Sequence, residues 1–411
     1  MKFYNFFIKG IAIFLVVFFT FQPVVIATDS IHVWSSNSVT SVVNANISDI
    51  STNTNDLNLE SGGAVLIEQN SGKVLYDHNM HEKLRPASVT KVMTILLIME
   101  ALDSGRISLD TTIPCSENAS SMGGSQIWLD VKESLSVNEM LKAICVVSAN
   151  DCTVAMAEYL AGSEDAFVMQ MNAKAKELGM NDTTFKNCHG IDEDGHVTSA
   201  YDISLMSREL LTKHPTITNY TTIWMDSLRD GKSSLVNTNK LIRNYKGATG
   251  LKTGSTSVAL YNLSASATRD GLSLIAVIMK APTTKVRFAE ATKLLDYGFS
   301  NYSYKEFGKA YDVVNVVTVN KGINNSVDAI LENSCGALVK KGEDKNLEQN
   351  VVMENSISAP VVKGQKLGEV NFSINGEIVG TSNIVASSDV KKISLWNMTT
   401  FLYDYWYRLI R

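Results

Sequence analysis

Histidine and cysteine are both scarce, at six and five residues in a chain of 411. The histidines are scattered without an H-E-x-x-H pair, and Cys115, Cys145, Cys152, Cys188 and Cys335 fit no zinc spacing. That argues against a metal hydrolase, and no metal or other cofactor is expected. A chain this long needs no disulfide staples, so mostly free, buried thiols are expected. An excess of basic residues is missing too: 37 Lys and Arg against 42 Asp and Glu leave a formal charge of −5. This excludes nucleic acid as a partner, because its phosphates demand a dense basic surface. What the chain does have is an ordinary apolar fraction of 45%, enough for a large core. Its length predicts two domains plus appendages.

The first residues read as an address. Lys2 and Lys9 precede an apolar run from Ile11 to Ile26, and Val25-Ile26-Ala27 offers small residues for cleavage after Ala27. A signal peptide over 1–27 is expected, with an uncleaved anchor as the alternative. Either way the rest of the chain lies outside the cytoplasm. Residues 28–58, rich in Ser, Thr, Asn and Asp, read as a linker.

Two β-rich runs, Gly63 to Ile67 and Lys73 to Tyr76, flank the turn Asn70-Ser71-Gly72 and predict a hairpin. From Ser88 to about Leu211 the pattern is helical, and Val92 to Met99 is apolar nearly all round, so that helix must be buried. Strands return near Leu251. Leu263 to Ala267 alternates, Leu272 to Met279 reads as a buried strand, and Thr284 to Phe299 as a closing helix. The expected fold over 59–304 is therefore α+β: one antiparallel sheet closed by both ends of the domain, covered by helices, with a helical insert. Residues 305–391 predict a small all-β domain. Residues 392–411 predict an amphipathic helix striped by Leu395, Met398, Leu402, Tyr405 and Leu409. From Leu395 to Ile410 it would extend ~24 Å, short of a ~30 Å hydrocarbon core, so it is expected to lie on a membrane surface.

Arg85-Pro86-Ala87-Ser88-Val89-Thr90-Lys91 sets a serine and a lysine on one face at the start of the buried helix. A nucleophile beside its own base is what acyl transfer needs. Alone the pair says little, since Ser388 and Lys391 repeat the spacing. Ser148-Ala149-Asn150 has many imitators, such as Ser116/Asn118, whereas Lys252-Thr253-Gly254 occurs once. The order carries the weight: Ser-x-x-Lys, then Ser-x-Asn, then Lys-Thr-Gly follows the active-site serine penicillin-recognising enzymes.

From about Gly62 to Arg411 the chain resembles the low-molecular-mass penicillin-binding proteins that act as D-alanyl-D-alanine carboxypeptidases. Beyond the three motifs, the resemblance includes Gly124 to Leu129, Asp151-Cys152, Leu178-Gly179-Met180, His189-Gly190, Ser199 to Asp202 and Arg287-Phe288. It implies a serine β-lactamase/DD-peptidase-like fold and a substrate, the peptidoglycan stem peptide ending in D-Ala-D-Ala. β-Lactam antibiotics would acylate the same serine. Ser88 would be the nucleophile and Lys91 its base, while Ser148 relays a proton to the leaving amine. Asn150 would hold Lys91 and the substrate amide. Lys252 and Thr253, with Arg287, would bind the terminal carboxylate, and Gly254 would let the substrate lie along the strand. Backbone N–H groups of Ser88 and Ser255 would form the oxyanion hole. Ser255 stands where the family often has a larger residue.

Two other readings share these motifs. A class A β-lactamase needs a further glutamate, and Glu177-Leu178-Gly179-Met180-Asn181 imitates the loop that carries it. Glu177 reads instead as the last turn of a helix stopped by Gly179. A non-turnover, membrane-bound β-lactam sensor is the third reading.

Overall fold

Strand β1 (Gly63–Glu68) is buried on both faces: Val65 and Ile67 enter one apolar core, Ala64 and Leu66 another. That two-sided burial sets the layers of the domain. The structure is a computed structural model that describes residues 57–343 and 346–410. The expected signal peptide, and all of the expected linker before residue 57, lie outside the described residues.

β1 turns back into β2 (Val74–His78). The Glu68 carboxylate fixes that turn by accepting from the backbone N–H groups of Asn70 and Ser71, at 2.9 and 2.6 Å. β3 (Ala248–Thr256), β4 (Leu260–Arg269) and β5 (Leu272–Ala281) follow much later and complete one five-stranded sheet. Its order is β2-β1-β5-β4-β3, antiparallel throughout, with both ends of the domain closing it as the strand pattern predicts. The alternation in β4 separates two dry faces. Leu263, Ala265 and Ala267 face apolar packing, while Ser264 and Ser266 bond Ser207 and Thr249, each at 2.8 Å.

The insert between β2 and β3 supplies the helices on one face. A 3-10 turn at Ala87–Thr90 leads into α1 (Lys91–Asp103), followed by α2 (Val137–Val147) and α3 (Asn150–Ala161). α4 (Glu164–Glu177) and α5 (Ala200–Lys213) come next. Ser136 and Glu139 form a capping box at the start of α2, and Ser199 caps α5. α1 is buried from Lys91 to Met99, at about 1.5–3 kcal/mol for each large apolar side chain removed from water. Leu96→Ala in its middle would cost about 2–5 kcal/mol. On the opposite face, α6 (Thr284–Asn301) packs Ala291, Leu294 and Leu295 against the sheet.

The all-β domain consists of β6 (Tyr302–Gly308), β7 (Val313–Asn320), β8 (Ser326–Leu331) and β9 (Cys335–Lys340). It continues with β10 (Leu347–Met353), β11 (Ser356–Ser358), β12 (Lys366–Ile374) and β13 (Glu377–Ala386). One sheet runs β10-β12-β13-β8-β7-β11, and β6 pairs with β9. Val317, Val327, Phe372 and Ile384 lie in its core. α7 (Leu395–Ile410) ends the described chain with Trp396, Leu402, Trp406 and Leu409 all exposed. Among the described residues, no helix is long and apolar enough to cross a membrane.

Candidate active site

Ser88 lies in the 3-10 turn and Lys91 opens α1, so the two side chains are one turn apart. The Lys91 amine is fully buried, 3.0 Å from Ser88 Oγ, 2.6 Å from Asn150 Oδ1 and 2.7 Å from the His189 carbonyl oxygen. Burial pushes its pKa well below the ordinary lysine value, and the neighbouring Lys252 ammonium pushes the same way. A neutral amine has two hydrogens and one lone pair. With its hydrogens on Asn150 and His189, the lone pair of the neutral form would face the Ser88 hydroxyl.

The break between α2 and α3 aims the second motif. Ser148 takes a left-handed φ of +66° and ends α2, and Asn150 then starts α3 pointing at Lys91. Ser148 Oγ is buried without a hydrogen-bond partner among the described residues. The other end of the Asn150 amide donates to the Gly123 carbonyl at 2.6 Å, and its backbone N–H donates to Ser125 O at 2.7 Å. The fully buried Asp151 accepts from the N–H groups of Ile127 and Leu129, each at 3.1 Å. This pins the loop beside the site.

β3 brings the third motif across the front of Ser88. A Cβ on Gly254 would lie 2.8 Å from the backbone nitrogens of both Ser88 and Val89, an approach only glycine permits. Behind the turn, Gly190 at φ +91° runs so close that a Cβ would sit 1.9 Å from Ala87 O. Lys252 is buried and donates to Thr253 O at 2.9 Å. Burial holds its pKa down to about 7. Thr253 Oγ1 donates to Thr238 Oγ1 at 2.7 Å, and Ser255 is exposed at the strand end.

The arrangement matches a known group of proteins. A family model described as D-alanyl-D-alanine carboxypeptidase matches residues 50–283. The chain belongs to that family. A second model, described as penicillin-binding protein 5, C-terminal domain, matches residues 302–392. The D-alanyl-D-alanine carboxypeptidase DacF of Bacillus subtilis is 47% identical over 82% of this chain and 88% of its own length. Penicillin-binding protein 5 from Haemophilus influenzae has a crystal structure 30% identical, with a TM-score of 0.68, covering 81% of this chain and 98% of that one. Penicillin-binding protein D2 from Listeria monocytogenes, in its cefotaxime-bound form, is 32% identical with a TM-score of 0.55, over 59% and 98%.

Membership in this carboxypeptidase family supports the serine carboxypeptidase over the β-lactamase and sensor alternatives. Glu177 ends α4, with Gly179 at φ +75° after it, and its carboxylate pairs with Lys174 at 2.8 Å. All five cysteines are free and buried. Arg287 stands apart from the other candidate residues. It reaches the site from α6, on the sheet face opposite α1, and donates to Gly254 O and Asn262 O at 3.3 and 3.2 Å. The structure thus places its guanidinium against the strand backbone, 4.6 Å from the Phe288 ring centre and 5.6 Å from that of Tyr261. Sequence reading assigned no role to the His189 carbonyl, Gly123, Asp151 or Thr238. His189 and Asp151 fall in runs that match the family, but a backbone acceptor has no side-chain signature.

Proposed function

We propose that this chain removes the terminal D-alanine from peptidoglycan stem peptides, with Ser88 as nucleophile and Lys91 as base. The observation that carries the residue assignment is the fully buried Lys91 amine, its pKa pushed down by burial, 3.0 Å from Ser88 Oγ. Ser88 Oγ attacks the carbonyl carbon of the penultimate D-alanine, and its proton passes to Lys91. Backbone N–H groups of Ser88 and Ser255 receive the oxyanion. Collapse breaks the C–N bond to the last D-alanine, whose amine takes a proton through Ser148. Water then hydrolyses the acyl-serine. Asn150 orients Lys91 and the substrate amide. Lys252 and Thr253 bind the terminal carboxylate, Gly254 admits the peptide along β3, and Arg287 stiffens that strand from behind while adding positive charge. β-Lactams would acylate Ser88 in place of the peptide.

The proposed division is a signal peptide over 1–27, a linker over 28–58, the catalytic domain over 59–304, the all-β domain over 305–391 and an anchoring helix over 392–411. Export places the enzyme at the outer face of the cytoplasmic membrane, with α7 on the lipid surface; the exposed aromatic and aliphatic side chains of α7 support this.

The test is D-alanine release from a diacyl tripeptide ending in D-Ala-D-Ala, together with mass spectrometry after penicillin treatment. Ser88→Ala should lose both signals while keeping the fold. A penicillin adduct on the Ala variant would end the assignment.

A further inference from the structure

The carbonyl that holds Lys91 is itself held. Glu164 opens α4 just after its N-cap Ser163, where the helix dipole favours a carboxylate. Its Oε1 accepts from the Cys188 backbone N–H at 3.0 Å and lies 3.4 Å from His189 Nε2. The His189 tautomer follows from its other nitrogen: Nδ1 accepts from Ile191 N at 3.1 Å, so Nε2 carries the hydrogen on the side where Glu164 lies. Thr94 Oγ1 donates to Cys188 O at 2.6 Å, and Asn187 Oδ1 accepts from Gly190 N at 2.7 Å. These bonds tighten one stretch of backbone, residues 187–191. The His189 oxygen that emerges from it lies 2.7 Å from Lys91 Nζ.

We propose that Glu164 is a positioning residue for acyl transfer: one carboxylate oxygen, accepting from Cys188 N and lying 3.4 Å from His189 Nε2, holds the His189 carbonyl on Lys91 and so aims the amine at Ser88. This rests on the reading of Lys91 as the base. Burial, followed by Lys91, keeps the His189 pKa down to about 3, so the ring that Glu164 approaches at 3.4 Å is neutral and the contact is not an ion pair. The titratable groups that face Lys91 are Lys252, Cys188, Asp151 and His189. Glu164 touches Cys188 N and approaches His189 Nε2 rather than Lys91 itself, so its path to the amine runs through the backbone. Glutamine keeps the accepting oxygen at the same reach. Aspartate keeps the charge but draws the oxygen back by one methylene.

The test compares pre-steady-state acylation by a fluorescent penicillin, from pH 5 to 10, in wild type, Glu164→Ala, Glu164→Asp, Glu164→Gln and Lys91→Ala. Displacing the carbonyl should slow acylation about 10- to 100-fold in the Ala and Asp variants, with little change in the concentration at half saturation. Losing an acceptor destabilises the Lys91 ammonium, so the acid limb of the rate profile moves to lower pH. Glutamine should restore the rate to within about threefold, with the wild-type limb. Wild-type rates in both Ala and Asp variants overturn the proposal, as does a Gln variant impaired as deeply as Asp. Rapid acylation of Lys91→Ala would instead overturn the base assignment.

Discussion

Asn150 clasps Lys91 and the Gly123 carbonyl at the same distance, 2.6 Å, with the two ends of one amide. The base and the adjoining loop are therefore fixed by a single side chain whose orientation is set at both ends. Asn150→Asp keeps the shape but removes the donor to Gly123 and sets a carboxylate against the amine. An opposite charge favours the ammonium, so the Lys91 pKa rises and less neutral base is present at pH 7. Acylation at pH 7 should fall about 100-fold, with partial recovery at alkaline pH. A pH–rate profile equal to wild type would show that Lys91 does not titrate in this step.

Gly254→Ala tests the crossing of β3 over Ser88. The new methyl would meet Ser88 N, Val89 N and Pro86 O at 2.8, 2.8 and 2.9 Å, all of them backbone atoms that cannot swing aside. Overpacking of this kind costs about 1–3 kcal/mol, which a urea midpoint will register. Acylation should suffer more, by about 100-fold, because the strand must lift away from the nucleophile. Undiminished acylation would show that the close approach is not required.

Lys252 gives a second pH window. Burial holds it at about 7 in the free enzyme, so its positive charge is present below that pH and is lost as pH rises through it. The KM for a substrate with a free terminal carboxylate should climb above pH 7, by at most about tenfold per pH unit. The matching methyl ester should show no such rise, and Lys252→Ala should flatten the carboxylate curve. Parallel curves for acid and ester would remove Lys252 from carboxylate binding.

Truncation after Ser394 removes α7, whose side chains Trp396, Tyr403, Trp406 and Ile410 are more than 60% exposed. The shortened enzyme should release D-alanine from small peptides at the full rate. It should also lose co-sedimentation with vesicles rich in phosphatidylglycerol. Lost activity would assign the helix to the fold, and unchanged vesicle binding would place the membrane contact elsewhere.

The parts of the fold legible in the sequence are those where period and turn chemistry agree. Gly63–Ile67 around Asn70-Ser71-Gly72 reads as a hairpin because β-rich runs meet a turn whose polar residues bond Glu68. Val92 to Met99 reads as buried because no face of it is polar. The site was legible through side chains in order, Ser88, Lys91, Asn150 and Lys252. It was not legible where backbone does the work: the His189 carbonyl and the left-handed turn at Ser148 have no residue-type signature. Arg287 shows the converse limit. Its motif match suggests a ligand contact, but which way a guanidinium points from α6 depends on packing against Phe288 and Tyr261, which pattern alone does not specify.

Residues 63–68 of β1 lie in the sheet beside residues 274–279 of β5. The first strand among the described residues therefore has no neighbour on that side until nearly the whole catalytic domain has been synthesised. Its helical insert can form local structure early, but closing so long a loop is slow, as in other folds dominated by distant pairings. β3 pairs with β4, β4 with β5 and β5 with β1, so the sheet that carries Gly254 to Ser88 is complete only when β5 meets β1. A chain interrupted short of residue 272 thus carries Ser88, Lys91, Ser148, Asn150 and Lys252-Thr253-Gly254, but lacks β5, the strand that joins β4 to β1.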